Sequence, residues 1–278
     1  MTELREKINN IVEDYQACLT LAKSMNGNEV YEGTTATAED IAIGKTAYSN
    51  GELITGSKVE NDSNTTLHCN TTSFVLLNSI SSITNLSLPN VTSINNGFRD
   101  CRGLKTVSLT NLDKVQNIAS MFWNCSDLKE VNLYVPNVTN MYGVFWNCYN
   151  LRNLAIEGGN NITNYCSVFL GCNRLTDAPY MNTSKVNSFF QLYMNCFNLV
   201  NIPILDTSNV TNLGNMVRFC NMLSDESLDN ILVMCSKAKS DPWKTLNSIG
   251  MTNTLGYRCQ NLPHYNDFVN AGWSLGYR

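Results

Sequence analysis

Six cysteines constrain this 278-residue chain more than any other feature. Cys101, Cys125, Cys148, Cys172, Cys196 and Cys220 follow one another at intervals of 24, 23, 24, 24 and 24 residues. A disulfide framework rarely spaces its cysteines so evenly, and a total of 11 leaves at least one unpaired. Metal sites cluster their ligands within a few residues or converge them by fold, and the chain has no C-x-x-C. An even period of this length marks a stacked repeat, with cysteine as a small buried residue in each unit.

The units share more than sulfur. Phe98, Phe122, Phe145, Phe169, Tyr193 and Val217 stand three residues before the cysteines, and Leu104, Leu128, Leu151, Leu175, Leu199 and Leu223 three after. Six and eight residues after come Val107 and Leu109, Val131 and Leu133, Leu154 and Ile156, Ala178 and Tyr180, Ile202 and Ile204. Apolar residues on alternate positions predict a short half-buried strand at that point of each unit. A second apolar cluster follows, as in Val138 and Met141, Ile162 and Tyr165, Val186 and Phe189, Val210 and Leu213. One such unit cannot bury its apolar face alone. Stacked on its neighbours it forms ladders with a continuous core, so the sequence predicts a β-strand-lined solenoid.

Charged residues make up 15% of the chain against ~25% in ordinary soluble domains, so Asn, Ser and Thr must cover much of the surface. The net charge of -4 argues against a phosphate-backbone binder, and no nucleic-acid partner is expected. No apolar run approaches the ~20 residues that span a bilayer, and the start does not read as a secretory signal. Neither a membrane partner nor a secretory route is expected.

The repeats resemble the BspA-like family of leucine-rich repeats, including its variant with an N-V-T-N-M segment. The matching stretches are Asp206-Thr-Ser-Asn-Val-Thr-Asn-Leu213, Pro136-Asn-Val-Thr-Asn-Met141 and Met121-Phe-Trp-Asn-Cys-Ser-Asp-Leu128. Pro89-Asn-Val-Thr-Ser-Ile94 extends the match upstream, and Ile83, Leu86 and Leu88 fit a degenerate first unit. The resemblance implies a leucine-rich repeat solenoid that binds rather than catalyses, in a family found on bacterial surface adhesins, in protists and in phage-encoded proteins. Asn90, Asn137, Asn161 and Asn209 head N-x-[ST] triplets at one repeat position. Asn there tolerates turn geometry and bonds neighbouring backbone, which explains the triplets without glycosylation.

Ahead of the repeats, Leu4, Ile8, Ile11, Tyr15, Cys18, Ala22 and Met25 advance in alternating steps of four and three. This is a heptad seam on an N-terminal helix, read either as an oligomerising coiled coil or as an amphipathic helix packed on its own domain. Ala47, Tyr48, Leu53 and Ile54 flank Asn50-Gly51, a two-residue hairpin signal. The stretch Thr35–Gly56, carrying the pattern T-A-x-D-I-x-x-G-K-T-A-Y-x-N-G-x-x-I-T-G, resembles a module of tail-associated proteins in phages of Gram-positive bacteria. It implies a connector between an attachment region and a distal domain. The predicted organisation is a helix over 1–30, a helix-hairpin connector over 31–58, a linker over 59–72, repeats over 73–224, and a helix, partial repeat and cap over 225–278. The ending Phe268–Tyr277 also resembles the close of phage-encoded proteins that carry such repeats.

No catalytic constellation emerges. His68 and His264 have no Ser or Cys nucleophile with an orienting acid nearby in sequence. Gly158-Gly159 lacks the Lys-Ser or Lys-Thr of a phosphate loop. No enzyme activity, cofactor or metal is expected. For binding, residues five, seven and nine after each cysteine should point away from the core. Glu130, Asn132, Tyr134, Asn153, Glu157, Asp177, Met181 and Asn201 are the candidate ligand-binding face, alongside Thr106 and Ser108. Amides, acids and a tyrosine there suit sugar hydroxyls or a protein patch, and equally a merely solvated face. A second column, two residues before each cysteine, holds Arg99, Trp123, Trp146, Leu170, Met194 and Arg218. Exposed tryptophans there would mark an interface and buried ones packing.

The reading that joins these parts is a virion protein assembled in the host cytoplasm. Its N-terminal region would hold other virion proteins as a homo-oligomer, and its repeats would meet a host-surface polysaccharide or protein. The alternatives are an architectural head, neck or tail decoration protein, or a cellular surface adhesin.

Overall fold

The computed structural model describes residues 46–49, 52–55, 67–68 and 82–276. The heptad residues Leu4, Ile8, Ile11, Tyr15, Cys18, Ala22 and Met25 lie outside the described residues, as does most of the connector. Of the connector, strands β1 (Thr46–Ser49) and β2 (Glu52–Thr55) pair antiparallel, with Ser49 opposite Glu52.

The repeats stack into a β-solenoid. Strands β3 (Leu67–His68), β4 (Ser82–Ser87), β5 (Thr106–Thr110), β6 (Glu130–Val135) and β7 (Asn153–Gly158) form one parallel sheet in sequence order. β3 falls within the stretch read as a linker. Register advances by one repeat per strand, so Val107 lies beside Val131 and Val131 beside Leu154. In β6 the alternation is complete: Val131, Leu133 and Val135 are buried while Glu130, Asn132 and Tyr134 face outward.

A second wall closes each unit without forming strands. The residues five and one before each cysteine hold left-handed backbone throughout: Ser120 and Asn124, Ser167 and Gly171, Gln191 and Asn195. Asn and Gly adopt this region most readily. The N–H groups of every second residue along this wall point along the stack. Ser120, Phe122 and Asn124 thus donate to the carbonyls of Tyr142, Val144 and Trp146 in the next unit, at 2.7, 2.9 and 2.8 Å. Gly171 takes this conformation at φ +78°, and a Cβ there would make the Asn147 side chain, 2.6 Å away at Oδ1, shift.

Between the two walls lies the core. Phe98, Phe122, Phe145, Phe169 and Tyr193 stack with ring centroids 5.2, 5.6, 5.7 and 5.5 Å apart. Each such side chain removed from water contributes ~1.5–3 kcal/mol. The six recurring cysteines are buried and unbridged. They are also donors: the thiols of Cys125, Cys148, Cys172, Cys196 and Cys220 point at the carbonyls of Phe98, Phe122, Phe145, Phe169 and Tyr193, one unit back.

Two units depart from the predicted strand. Tyr180 and Ile204, placed on the core side by the alternation, are exposed at 75% and 47%, while Met181, placed on the outer face, is buried at 2%. Pro179 and Pro203 are the cause. Neither has an N–H for a sheet ladder, so the pairing shrinks to a single bridge between Asp177 and Asn201. Inward residues then recur three apart, Ala178 to Met181 and Ile202 to Leu205, instead of two.

Helix α1 (Asp225–Lys237) closes this weakened edge. Ser227 Oγ accepts from Ile202 N and donates to Val200 O, both at 2.8 Å, replacing the strand that a further unit would supply. Helices α2 (Asn253–Cys259) and α3 (Tyr265–Asn270) follow; Phe268 on α3 and Trp273 just after it are buried, their rings 5.8 Å apart.

Candidate binding surface

The stacked sheet places the predicted face in register. Glu130 pairs with Asn153, Asn132 with Ala155, and Tyr134 with Glu157 across β6 and β7. Polar side chains along it bond to one another. Asn153 Nδ2 donates to Glu130 Oε1 at 2.7 Å, and Asn201 Nδ2 to Asp177 Oδ1 at 2.6 Å. Thr176 Oγ1 donates to the other oxygen of Asp177 at 2.6 Å. These bonds, from Asn201 first and Thr176 second, hold the Asp177 carboxyl below the usual carboxylate range. Such a carboxylate stays ionised and acts as an acceptor rather than a proton donor.

Of the predicted residues, Glu130, Asn132, Tyr134, Asn153, Glu157, Asp177 and Asn201 are exposed on this face, and Met181 is not among them. The last is corrected by the proline-driven change of step described above. Asn132, Asn153 and Asp177 line one open groove of about 1220 Å³. Its other polar walls are Arg152, Arg174, Thr176 and Asn198, which alternation alone did not single out. They belong to the turns that lead into the strands, where period-2 reasoning has no hold. Tyr134, Tyr180 and Ile204 add exposed apolar surface to the strand side.

The tryptophan column divides neither way cleanly. Trp123 and Trp146 are half-buried and stack on each other, centroids 4.1 Å apart and 8° from parallel. The Arg99 guanidinium lies 4.2 Å from the Trp123 ring centroid. Tyr142, also exposed, meets Trp146 edge-on. The ring edges therefore reach solvent while the face shared by the two indoles is spent on packing. Among the described residues, no group of three or more His, Cys, Asp or Glu is arranged to hold a metal ion.

Residues 73–199 match a family model described as BspA type leucine rich repeat region, in 6 copies. Residues 163–251 match a second model, described as Mycoplasma protein of unknown function, DUF285, which overlaps the last BspA-type units and runs on past α1. No curated protein and no solved structure matches the chain.

The BspA-type units explain their own asparagines. Asn117, Asn140, Asn164 and Asn212 each accept, through the side-chain oxygen, the N–H two residues ahead, at 3.0, 3.0, 2.9 and 2.9 Å. That turn starts the left-handed wall. Asn137 and Asn209, which head N-x-[ST] triplets, instead donate to backbone carbonyls of the preceding unit, Asp113 O and Ser184 O, both at 2.7 Å. In both positions the amide serves the stack.

Proposed function

We propose that this chain is a structural protein of a phage or phage-like particle, a tail fibre or baseplate appendage that displays its repeats for host-surface binding. The observation that carries the binding part is the strand face. Glu130, Asn132, Tyr134, Asn153, Asp177 and Asn201 stand exposed on one stacked scaffold whose interior is filled. Oriented amides, carboxylates and an aromatic ring over an open groove suit hydroxyl-rich or peptide ligands. The particle part rests on the likeness of residues 35–56 to a tail-associated connector.

The half-exposed Tyr142 and Trp146 favour a second reading, in which the repeats contact other virion proteins. One experiment separates the two. Purified protein is incubated with host cells, with their wall polysaccharides and with purified particles. Saturable binding to cells or polysaccharide, lost on Tyr134→Ala with Asn132→Ala, supports host recognition. Binding to particles alone refutes it in favour of architecture.

A further inference from the structure

A row of like charges runs beside the groove. Lys105, Lys129 and Arg152 occupy the position four after the cysteine in three consecutive units, and all three are exposed. The backbone locks them in register: Lys129 N donates to Lys105 O at 3.1 Å, and Arg152 N to Lys129 O at 3.0 Å. Neighbouring parallel strands lie ~4.8 Å apart, so cations recur at about that interval along the stack. Like charges directly opposite one another destabilise a sheet. None of the three makes a contact ion pair, since those among the described residues are Arg99–Asp100, Arg258–Asp225 and His264–Asp229. The nearby acids Asp127 and Glu130 take hydrogen bonds from Asn150 and Asn153 instead. Arg152 continues the row into the groove, where Arg174 adds a further cation among Asn132, Asn153, Thr176 and Asn198, with Asp177 as the carboxylate of the lining, already bonded to Asn201 and Thr176.

We infer that Lys105, Lys129, Arg152 and Arg174 bind a linear acidic polysaccharide, its carboxylates or phosphates on the cationic row and its hydroxyls on the groove amides. The inference rests on reading the repeats as a recognition surface and names the ligand class. A short row of cations at a regular interval of ~4.8 Å matches one anion per sugar or polyol unit. The amides then supply what hydroxyls need and a phosphate backbone does not.

The test uses the full chain and four probes: polygalacturonate for carboxylate, poly(glycerol phosphate) for phosphate, neutral dextran, and a single-stranded oligonucleotide. Titration calorimetry should show tighter binding to at least one acidic polymer than to dextran or the oligonucleotide, weakening as salt rises. Which acidic polymer wins identifies the anion. Lys105→Gln/Lys129→Gln/Arg152→Gln should lose about tenfold or more in affinity. Lys114→Gln/Lys185→Gln should not, because those lysines reach Asn90 and Asn161 on another part of the unit. The triple variant should melt at or above the wild-type temperature; if it does not fold, Arg152→Gln alone serves. Equal binding to dextran, an unaffected triple variant, or preference for the oligonucleotide overturns the inference. Host cells separate the two claims. Undiminished cell binding by the triple variant removes the acidic ligand and leaves host recognition standing. Binding to acidic polymer by a protein that ignores host cells does the reverse.

Discussion

The thiol of Cys148 donates to the carbonyl oxygen of Phe122, 3.1 Å away in the preceding unit, and that same oxygen accepts the N–H of Cys125 at 3.0 Å. One acceptor thus joins a turn within its unit to the sulfur of the next. Removing the thiol leaves the carbonyl satisfied, so Cys148→Ala should cost ~1–2 kcal/mol for lost packing and one weak bond. Cys148→Leu should cost ~1–3 kcal/mol through overpacking of a column built for a small side chain. Cys166 is only half-buried, and Cys166→Ala should stay within ~0.5 kcal/mol. Urea unfolding of the three variants provides the ranking. Equal effects at 148 and 166 would contradict the dry column.

Alkali should unfold this protein in proportion to its buried thiols. Burial pushes Cys101 up to about 12, helped by the charge of Asp100, and pushes Cys220 up to about 12 as well. Cys148, Cys172 and Cys196 rise well above the ordinary thiol value, again chiefly by burial. The folded chain keeps these protons, while the unfolded chain sheds them near pH ~8.5. Stability is therefore complete below that pH and falls as the pH climbs from ~8.5 towards the folded values, by ~1.4 kcal/mol per pH unit for each such thiol. Urea midpoints measured on both sides of pH ~8.5 check the slope, and Cys148→Ala should flatten it. A midpoint that holds steady through this range would show that the thiols already meet water.

Tyr193 carries a hydroxyl with nothing to bond. Its ring continues the phenylalanine stack on Phe169, 5.5 Å away and 7° from parallel, but its buried oxygen has no partner, and neither has that of Tyr165. Tyr193→Phe restores the residue found at that position in the units of Phe98, Phe122, Phe145 and Phe169. It should stabilise the protein by ~1 kcal/mol, as the cost of an unpaired buried hydroxyl disappears. Thermal melting decides it, and a lowered midpoint would mean that the hydroxyl has a partner after all.

The core was legible because burial repeats. Phe98, Leu104 and Cys101 each belong to a column, and a column of apolar residues has one physical reading. The outer face was legible only while hydrogen-bonded strands enforced a period of two. Glu130 to Val135 obeys that period, and the segments around Pro179 and Pro203 do not, which is why Met181 turns inward and Tyr180 outward. Left-handed positions were harder to read. Asp100, Asn124, Asn147, Gly171 and Asn195 share that backbone, yet so does Phe219, whose side chain gives no hint of it. The cationic row was present in the sequence as Lys105, Lys129 and Arg152, but it gains meaning only once backbone bonds show the three in register.

Residues 1–30 carry the remaining proposal, that the chain acts as an oligomer. A seam from Leu4 to Met25 spans three heptads, which is marginal for an isolated coiled coil, so any association should be reinforced by the connector that follows. Linking several copies on one particle lets weak sites act together, raising avidity without any new contact at the groove. Light-scattering mass measurement of the full chain and of a chain lacking residues 1–30 tests this directly. The full chain should be oligomeric and the shortened one monomeric. The shortened protein should keep its affinity for soluble ligand while releasing faster from a ligand-coated surface. A monomer in both forms would return the seam to packing within its own domain and leave each groove to bind alone.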